Sequence, residues 1–471
     1  MVFSSGLPRL LLVLLVPLLG SFSQEISEPM LAKPVLAVRR TAPQVRPNVL
    51  LILTDDLGYG DLSAYGATDL RTPHVDSLLG AGLRFTNFYA NSPVCSPSRA
   101  ALLTGRYPER VGVPGVIRDV VQNSWGYLAP TATLLPVYLR KAGYHTALVG
   151  KWHLGLEPPN LPNERGFQEF YGFTGDMMDD YRSKTRNGLN FMRHNERTID
   201  PPGHATDVFT EAAVRYLHQR KGQPAPFFLY LGYNAPHNPL QPPTGWLANV
   251  VRREPGIDST RAKLVALIEH LDAGIGRVLS ALKANGQAGN TMVIFLSDNG
   301  GWEPAKANVG PYRGFKGSVY EGGLRIPAGV CWPGHVRAGR TSPENLLLMD
   351  WFPTLLQAAH APVPGGLDGR SFLPLLESEQ TPPSSERPLF YIRREGQDVM
   401  KGLTIQALRL GDWKLLQPNP FAPYELYNLK DDPRETTNLF GNERAKADQL
   451  VKLLMEHTRQ SGAVPWQKAA R

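Results

Sequence analysis

Two seven-residue apolar runs, Asn48 to Thr54 (NVLLILT) and Thr291 to Ser297 (TMVIFLS), stop abruptly at polar pairs, Asp55-Asp56 and Asp298-Asn299. Continuous apolar runs of strand length, with no helical period, predict strands buried on both faces of a parallel sheet. Thr146 to Val149, leading into Gly150-Lys151-Trp152-His153, repeats the design, as does Phe227 to Tyr233, leading into Asn234-Ala235-Pro236-His237. Between them, Asp207 to Gln219 and Thr260 to Asn285 return apolar residues at spacings of three and four, the period of amphipathic helices. The alternation predicts an α/β fold with a large, mostly parallel sheet flanked by helices on both faces. Ligands in such sheets bind beyond the carboxyl ends of the strands, so the four polar strand ends are expected to converge on one site.

The N-terminal segment departs from this pattern. An apolar run from Leu10 to Leu19 follows Arg9 and leads into Gly20-Ser21-Phe22-Ser23, the pattern of a signal peptide over residues 1–23. The run is too short to span a bilayer. It predicts a secreted, periplasmic or lumenal protein without stable membrane insertion. Residues 24–45, with Pro29, Pro34 and Pro43 and no period, read as a lead-in. A large domain is expected over 46–376. The Pro- and Ser-containing stretch Glu377 to Pro388 opens a small C-terminal α+β domain over 377–471. Its short strands are expected within Gly402 to Gln417 and at Glu425 to Leu429, and its final helix at Lys446 to Thr458.

Composition narrows the class. Of 471 residues, 42% are hydrophobic and 20% charged, which excludes a disordered or fibrous chain. Fifty Lys and Arg against 42 Asp and Glu give a net charge of +8, which favours anionic partners at long range. The basic residues are scattered, so no nucleic-acid partner is expected. Two cysteines, Cys95 and Cys331, allow one bridge at most and cannot form a disulfide framework.

Asp55 and Asp56 would repel unless solvent or a cation neutralised them, and alone they are explained by a solvated turn. Joined by Asp298 and Asn299, they offer three carboxylates and an amide oxygen, a hard site suited to a divalent cation such as calcium. Cys95-Ser96-Pro97-Ser98-Arg99 is followed by Ala100-Ala101-Leu102-Leu103-Thr104-Gly105-Arg106. Pro97 fits the first turn of a helix and places Cys95 at its N-terminus, where an anion is favoured. A lone cysteine would otherwise read as a buried core thiol.

This segment resembles the Cys-x-Pro-x-Arg signature, with its Leu-Thr-Gly-Arg extension, of the formylglycine-dependent type I sulfatases of the alkaline phosphatase superfamily. The resemblance covers Arg46 to about Leu439, with motifs in the family's order. These are Pro47-Asn48-Val49 to Asp55-Asp56-Leu57-Gly58, Thr72-Pro73-His74-Val75-Asp76 and Gly143-Tyr144 to Gly150-Lys151-Trp152-His153-Leu154-Gly155. They continue with Ala235-Pro236-His237, Ser297-Asp298-Asn299-Gly300-Gly301, Arg313-Gly314-Phe315-Lys316-Gly317, Glu321 to Pro327, and Tyr424-Glu425-Leu426-Tyr427-Asn428-Leu429 to Asp432-Pro433.

The resemblance implies that a formylglycine-generating enzyme converts Cys95 to formylglycine, whose hydrate attacks a sulfate monoester. A covalent sulfo-enzyme follows, and the second hydroxyl expels the sulfate. It implies one Ca2+ per chain on Asp55, Asp56, Cys95, Asp298 and Asn299. His153 is implied as base; Lys316 and His237 as sulfate ligands, with His237 protonating the leaving alcohol; Lys151 as orienting diol and sulfate; and Arg99 as a partner of the diol and the acidic cluster. The substrate is a sulfated small molecule or glycan, a carbohydrate sulfate being preferred because the chain reads as secreted and lacks a membrane-embedded hairpin. The alternatives are a phosphoryl hydrolase of the same superfamily, or an inactive sulfate- or glycan-binding homologue if Cys95 is unmodified.

Other residues receive structural readings. His74 is expected to cap or pack, and Cys331 to be buried near a sheet end. The irregular stretch Thr174 to Pro202, with Asp176, Asp179, Asp180, Tyr181, Arg182 and His194, and His204 just beyond, is expected either to line the pocket mouth or to form a plain surface loop. The sequence carries no indication of oligomeric state.

Overall fold

Each apolar run forms the expected strand. A computed structural model describes residues 46–119, 124–378, 387–395 and 402–467; the signal-peptide and lead-in expectations lie outside the described residues. Asn48–Thr54, His145–Lys151, Phe227–Gly232 and Thr291–Ser297 are adjacent and parallel at the centre of a ten-stranded sheet. Glu169–Phe173 adds a fifth parallel strand beside His145–Lys151. The sheet is mixed, because short strands flank this centre antiparallel: Ala328–Cys331 on one side and Met192–His194 on the other.

Both faces of the central strands are covered, which is why their sequences do not alternate in polarity. Val49, Leu51 and Leu53 enter one core with residues of the helices Cys95–Thr104, Leu135–Lys141 and Trp351–Ala358. Leu50 and Ile52 enter the opposite core with Pro73–Gly80, Ala205–Gln219 and Ser259–Ala284. Asp258 caps the longest helix, its side chain accepting from the backbone N–H of Thr260 and Arg261.

Leu389–Arg394, Thr404–Leu410, Trp413–Gln417 and Glu425–Asn428 form a separate antiparallel sheet, against which Ala447, Leu450 and Leu454 of the helix Arg444–Ser461 are buried. The strand Leu389–Arg394 was not anticipated. Cys331, expected to be buried, is partly exposed because it ends its strand at the sheet rim, with Sγ 3.5 Å from the Ala81 carbonyl. Both cysteines are free. Among the described residues, no helix is long and apolar enough to cross a membrane.

Candidate active site

The four polar strand ends meet at one edge of the sheet. Asp55 and Asp56 follow Asn48–Thr54, Asp298 and Asn299 follow Thr291–Ser297, Lys151 ends its strand, and His237 lies five residues beyond Gly232. A row of glycines permits the close approach at Lys151. Gly150 pairs with Gly232 on one side and Gly172 on the other, and a Cβ at Gly150 would stand 1.9 Å from the Gly232 carbonyl oxygen. Asp56 and His153 both turn through left-handed backbone, with φ of 65° and 61°. These conformations are sparse outside glycine and aim both side chains back at the strand ends.

Cys95 is the first residue of the fully buried helix Cys95–Thr104, which ends where Gly105 adopts φ 67° and its N–H returns to the Ala101 carbonyl. The helix N-terminus points its free N–H groups into the site. Cys95 Sγ and carboxylate oxygens of Asp55 and Asp298 lie within 4.8 Å of one another, and the same holds for Asp55, Asp56 and His237. Burial pushes the Cys95 thiol upward.

Three cations match the three carboxylates. Arg99 donates to Asp298 Oδ2 through Nε at 3.0 Å and Nη2 at 2.7 Å, and Nη2 stands 3.6 Å from Asp55 Oδ1. Lys151 Nζ donates to Asp55 Oδ2 at 2.6 Å, and Lys316 Nζ to Asp56 Oδ2 at 2.7 Å. The Lys151 and Arg99 side chains are wholly buried, whereas Lys316 is 16% and His237 8% exposed, so the site opens on the Lys316 and His237 side.

Two observations fit a cation between these acids. Asp55 Oδ1 and Asn299 Oδ1 are buried with no hydrogen-bond partner, while Asn299 spends its Nδ2 on Asp56 Oδ1 at 2.8 Å. Burial and the charge of Asp55 push Asp298 up to about 7. Burial would raise Asp55 as well, but Lys151, His237, Arg99 and Lys316 hold it below the carboxylate range. Oxygen donors that are orphaned and mutually repelling are the donor set of a hard divalent ion.

Burial and neighbouring cations lower both histidines below their usual value, and their hydrogen bonds select tautomers of the neutral ring. Burial, then Lys151 and Arg99, depress His153 well below its usual value. Its Nε2 donates to the Ile117 carbonyl at 2.8 Å, leaving buried Nδ1 as a lone pair without a partner. Burial, then Lys316, lowers His237. His237 Nδ1 donates to the Asn238 carbonyl at 2.7 Å, so Nε2 accepts from Lys316 Nζ at 3.1 Å.

Asp55, Asp56, Cys95, Arg99, Lys151, His153, His237, Asp298, Asn299 and Lys316 are therefore gathered together. His74 is remote: its ring packs over Gly276, and its backbone N–H meets Asp272 Oδ2 at 3.2 Å. His194 sits at the exposed sheet edge. Tyr181 is not at the mouth but buried beneath the site, its hydroxyl donating to the His237 carbonyl at 2.7 Å, with the Asn234 carbonyl at 3.2 Å. His204 caps the helix Ala205–Gln219 and stacks on Tyr181 with centroids 4.8 Å apart. Tyr230, whose hydroxyl lies 3.4 Å from Arg99 Nη1, was not singled out from sequence because it lies within an apolar strand run.

Comparison with known proteins shows the family. The Sulfatase family profile matches residues 47–361, and that of the N-sulphoglucosamine sulphohydrolase C-terminal region matches 312–461. The chain is 36% identical over 396 residues to N-acetylgalactosamine-6-sulfatase of Homo sapiens, covering 79% of this chain and 72% of that one. It is 33% identical over 462 residues to arylsulfatase A of Homo sapiens, covering 87% and 86%. The crystal structure of Ps i-CgsB in complex with k-i-k-neocarrahexaose superposes with a TM-score of 0.82 at 31% identity, over 90% of this chain and 96% of that one. The chain therefore belongs to the sulfatase family, as a type I sulfatase of the alkaline phosphatase superfamily.

Proposed function

We propose that this sulfatase hydrolyses a sulfate monoester on a carbohydrate after conversion of Cys95 to formylglycine, with one calcium ion held by Asp55, Asp56, Asp298, Asn299 and the residue at position 95. The observation that carries this reading is the position of Cys95: at a helix N-terminus, among the carboxylates of Asp55 and Asp298, and affected electrostatically by Lys151 and Lys316. The carbohydrate assignment rests on relatives named for N-acetylgalactosamine-6-sulfate and on the neighbour bound to neocarrahexaose.

Calcium bound there would polarise the sulfate as a Lewis acid. Formylglycine at 95 would supply, as its hydrate, one hydroxyl to attack sulfur and a second whose deprotonation releases sulfate. His153 Nδ1, a buried lone pair held by the Ile117 contact, takes up the proton of the second hydroxyl. Lys316, on the open side, holds the sulfate oxygens, and His237 joins it once Nε2 carries a proton. His237 Nε2 gives a proton to the leaving alcohol, and the Lys316 ammonium 3.1 Å away supplies that proton. Lys151 orients the group at 95 and the sulfate, and Arg99 fixes Asp298 and balances the acids. The cations Lys151, Arg99 and Lys316 already neutralise the three aspartates, so a divalent ion would leave the site net positive, as an anionic ester requires.

Residues 46–376 form the catalytic domain of this reading and 377–471 the small C-terminal domain. The signal-peptide pattern supports secretion or lumenal delivery, where a formylglycine-generating partner would act on position 95. Mass spectrometry of the tryptic peptide spanning 85–99 tests the modification: the aldehyde is about 18 Da lighter than the thiol. An unmodified thiol in active enzyme, or preferential cleavage of an aryl phosphate over an aryl sulfate, rejects the mechanism.

A further inference from the structure

Three separate parts of the chain, each in contact with residues of the site, meet to form a lip beside it. Asp176 follows the strand Glu169–Phe173, whose last residue pairs with Lys151, and nearby Met178 receives the Asn234 amide at 3.7 Å. The strand before Asp176 lies beside the Lys151 strand on the side away from the strand leading to His237, and the Met178 contact brings the segment back across the Lys151 strand end towards Asn234. Arg118 follows Ile117, whose N–H donates to Ser96 Oγ at 3.1 Å and whose carbonyl receives His153. Arg393 and Glu395 arrive from the C-terminal sheet, Arg393 Nη1 donating to the Gly317 carbonyl beside Lys316 at 2.8 Å.

These groups form one chain of charges. Arg118 Nη2 donates to Glu395 Oε1 at 2.7 Å, and Glu395 also pairs with Arg393. Arg186 stands 3.4 Å from Asp176 Oδ1 and 2.6 Å from Asp179. One link is open: Arg118 Nη1 and Asp176 Oδ2 are 3.9 Å apart, too far for a hydrogen bond. A hydroxyl oxygen placed between them can sit about 2.8 Å from each, donating to the carboxylate and accepting from the guanidinium. Asp176 is 5% exposed and the Arg118 side chain 26%, so the gap is walled yet reachable.

We propose that Asp176 and Arg118 bridge a hydroxyl of the sugar that bears the sulfate, and that this lip selects an uncharged hexose or hexosamine ring over a uronic acid. The inference rests on the sulfate-ester reading above. Three positive groups, Arg118, Arg186 and Arg393, face three negative ones, Asp176, Asp179 and Glu395. Asp119, bonded to Asn187, adds a further negative charge. Among these groups no guanidinium is left in surplus to pair with a substrate carboxylate, and a second anion beside Asp176 would be repelled.

The test uses the full-length, aldehyde-bearing enzyme with N-acetylhexosamine 6-sulfate, a 2-O-sulfated uronate and 4-nitrophenyl sulfate. The wild type should favour the hexosamine ester over the uronate by about tenfold or more in kcat/KM. Asp176→Asn removes a charged acceptor at constant shape and should lower kcat/KM on the hexosamine ester by about 10- to 100-fold. The fall on 4-nitrophenyl sulfate, which has no hydroxyl to bridge, should be at least tenfold smaller. Arg118→Lys, which keeps the charge facing Glu395 but not the fork, should skew the two substrates in the same sense. Equal losses on both esters, no loss, or preference for the uronate overturns the proposal. A wild-type enzyme inactive on all three overturns the sulfatase mechanism beneath it.

Discussion

Arg99 grips a single oxygen of Asp298 with two donors, and neither side chain has any exposed surface. In a pair this buried, removing one member leaves the other charge uncompensated, at a cost of about 3–5 kcal/mol. Arg99→Ala should therefore destabilise the enzyme by that amount in urea unfolding. Arg99→Lys keeps the charge but cannot reproduce the fork, and should recover part of the stability and little of the turnover. Wild-type stability in Arg99→Ala would show that the pair contributes nothing net.

Cys95→Ser separates chemistry from architecture. A hydroxyl replaces the thiol at nearly equal size, so the helix Cys95–Thr104 and its packing should persist, with thermal unfolding within a few degrees of wild type. Serine left unoxidised offers one hydroxyl and no second to release the sulfate, and sustained aryl-sulfate turnover should fall by roughly a thousandfold or more when mass spectrometry shows serine intact at position 95. Cys331→Ser, at the partly exposed sheet rim, serves as control and should retain activity. Comparable turnover by the serine and cysteine enzymes would sink the formylglycine mechanism.

Chelation bears on the acidic cluster. Withdrawal of a cation would return Asp55, Asp56 and Asp298 to mutual repulsion, relieved only by their three paired cations. An ion present at a hundred times its dissociation constant stabilises by about 2.7 kcal/mol. Treatment with EGTA should lower the melting temperature and abolish turnover, and added calcium should restore both. A melting temperature indifferent to EGTA, with no calcium found in the purified protein, would refute the metal assignment.

The central strands were legible almost to the residue because burial on both faces leaves an uninterrupted apolar run and a sharp polar stop. Asp55, Lys151, His237 and Asp298 were therefore placed by topology once the strands were parallel neighbours. The rim strands Leu83–Phe85 and Arg340–Ser342 are too short to show a period. Leu389–Arg394 was missed because it ends in two arginines, which read as exposed. Arg393 is in fact buried against Glu395 and the Gly317 carbonyl, partners visible only in three dimensions. Asp176 and Tyr181 fall only in a stretch expected near the pocket mouth, and Arg118 was not singled out, because nothing in an irregular segment says which strand end it will meet.

Tyr181 is a positioning residue for His237. Its hydroxyl donates to the His237 carbonyl from a fully buried ring, and burial, with Asp55 and Asp56 nearby, keeps its pKa well above the usual value, so it remains a donor. Tyr181→Phe strands that carbonyl without a donor, at about 1–3 kcal/mol. If the contact holds the imidazole in register with Lys316, kcat should drop about tenfold or more with a smaller change in KM, and the alkaline limb of the pH profile should move. A stability loss with kcat and pH profile unchanged would make Tyr181 a packing residue only.

His204 couples this region to pH. Burial, then neighbouring His270, lowers it from 6.5 to about 4, although the Gln241 carbonyl and Asp207 act in the opposite sense. Tyr181 stacks on one side, His270 meets it edge-on at 4.9 Å, and Arg182 contributes a further repulsion. Between pH 6.5 and 4 the unfolded chain binds a proton at this position that the folded chain refuses, so stability must fall as pH falls through that window. A shift of this size corresponds to roughly 3 kcal/mol at full extent. His204→Gln can still accept from the Thr206 N–H or donate to the Gln241 carbonyl but does not titrate, so its unfolding free energy should be flatter between pH 6.5 and 4 than that of wild type. Parallel curves for the two proteins across the window would show that His204 is not the titrating group.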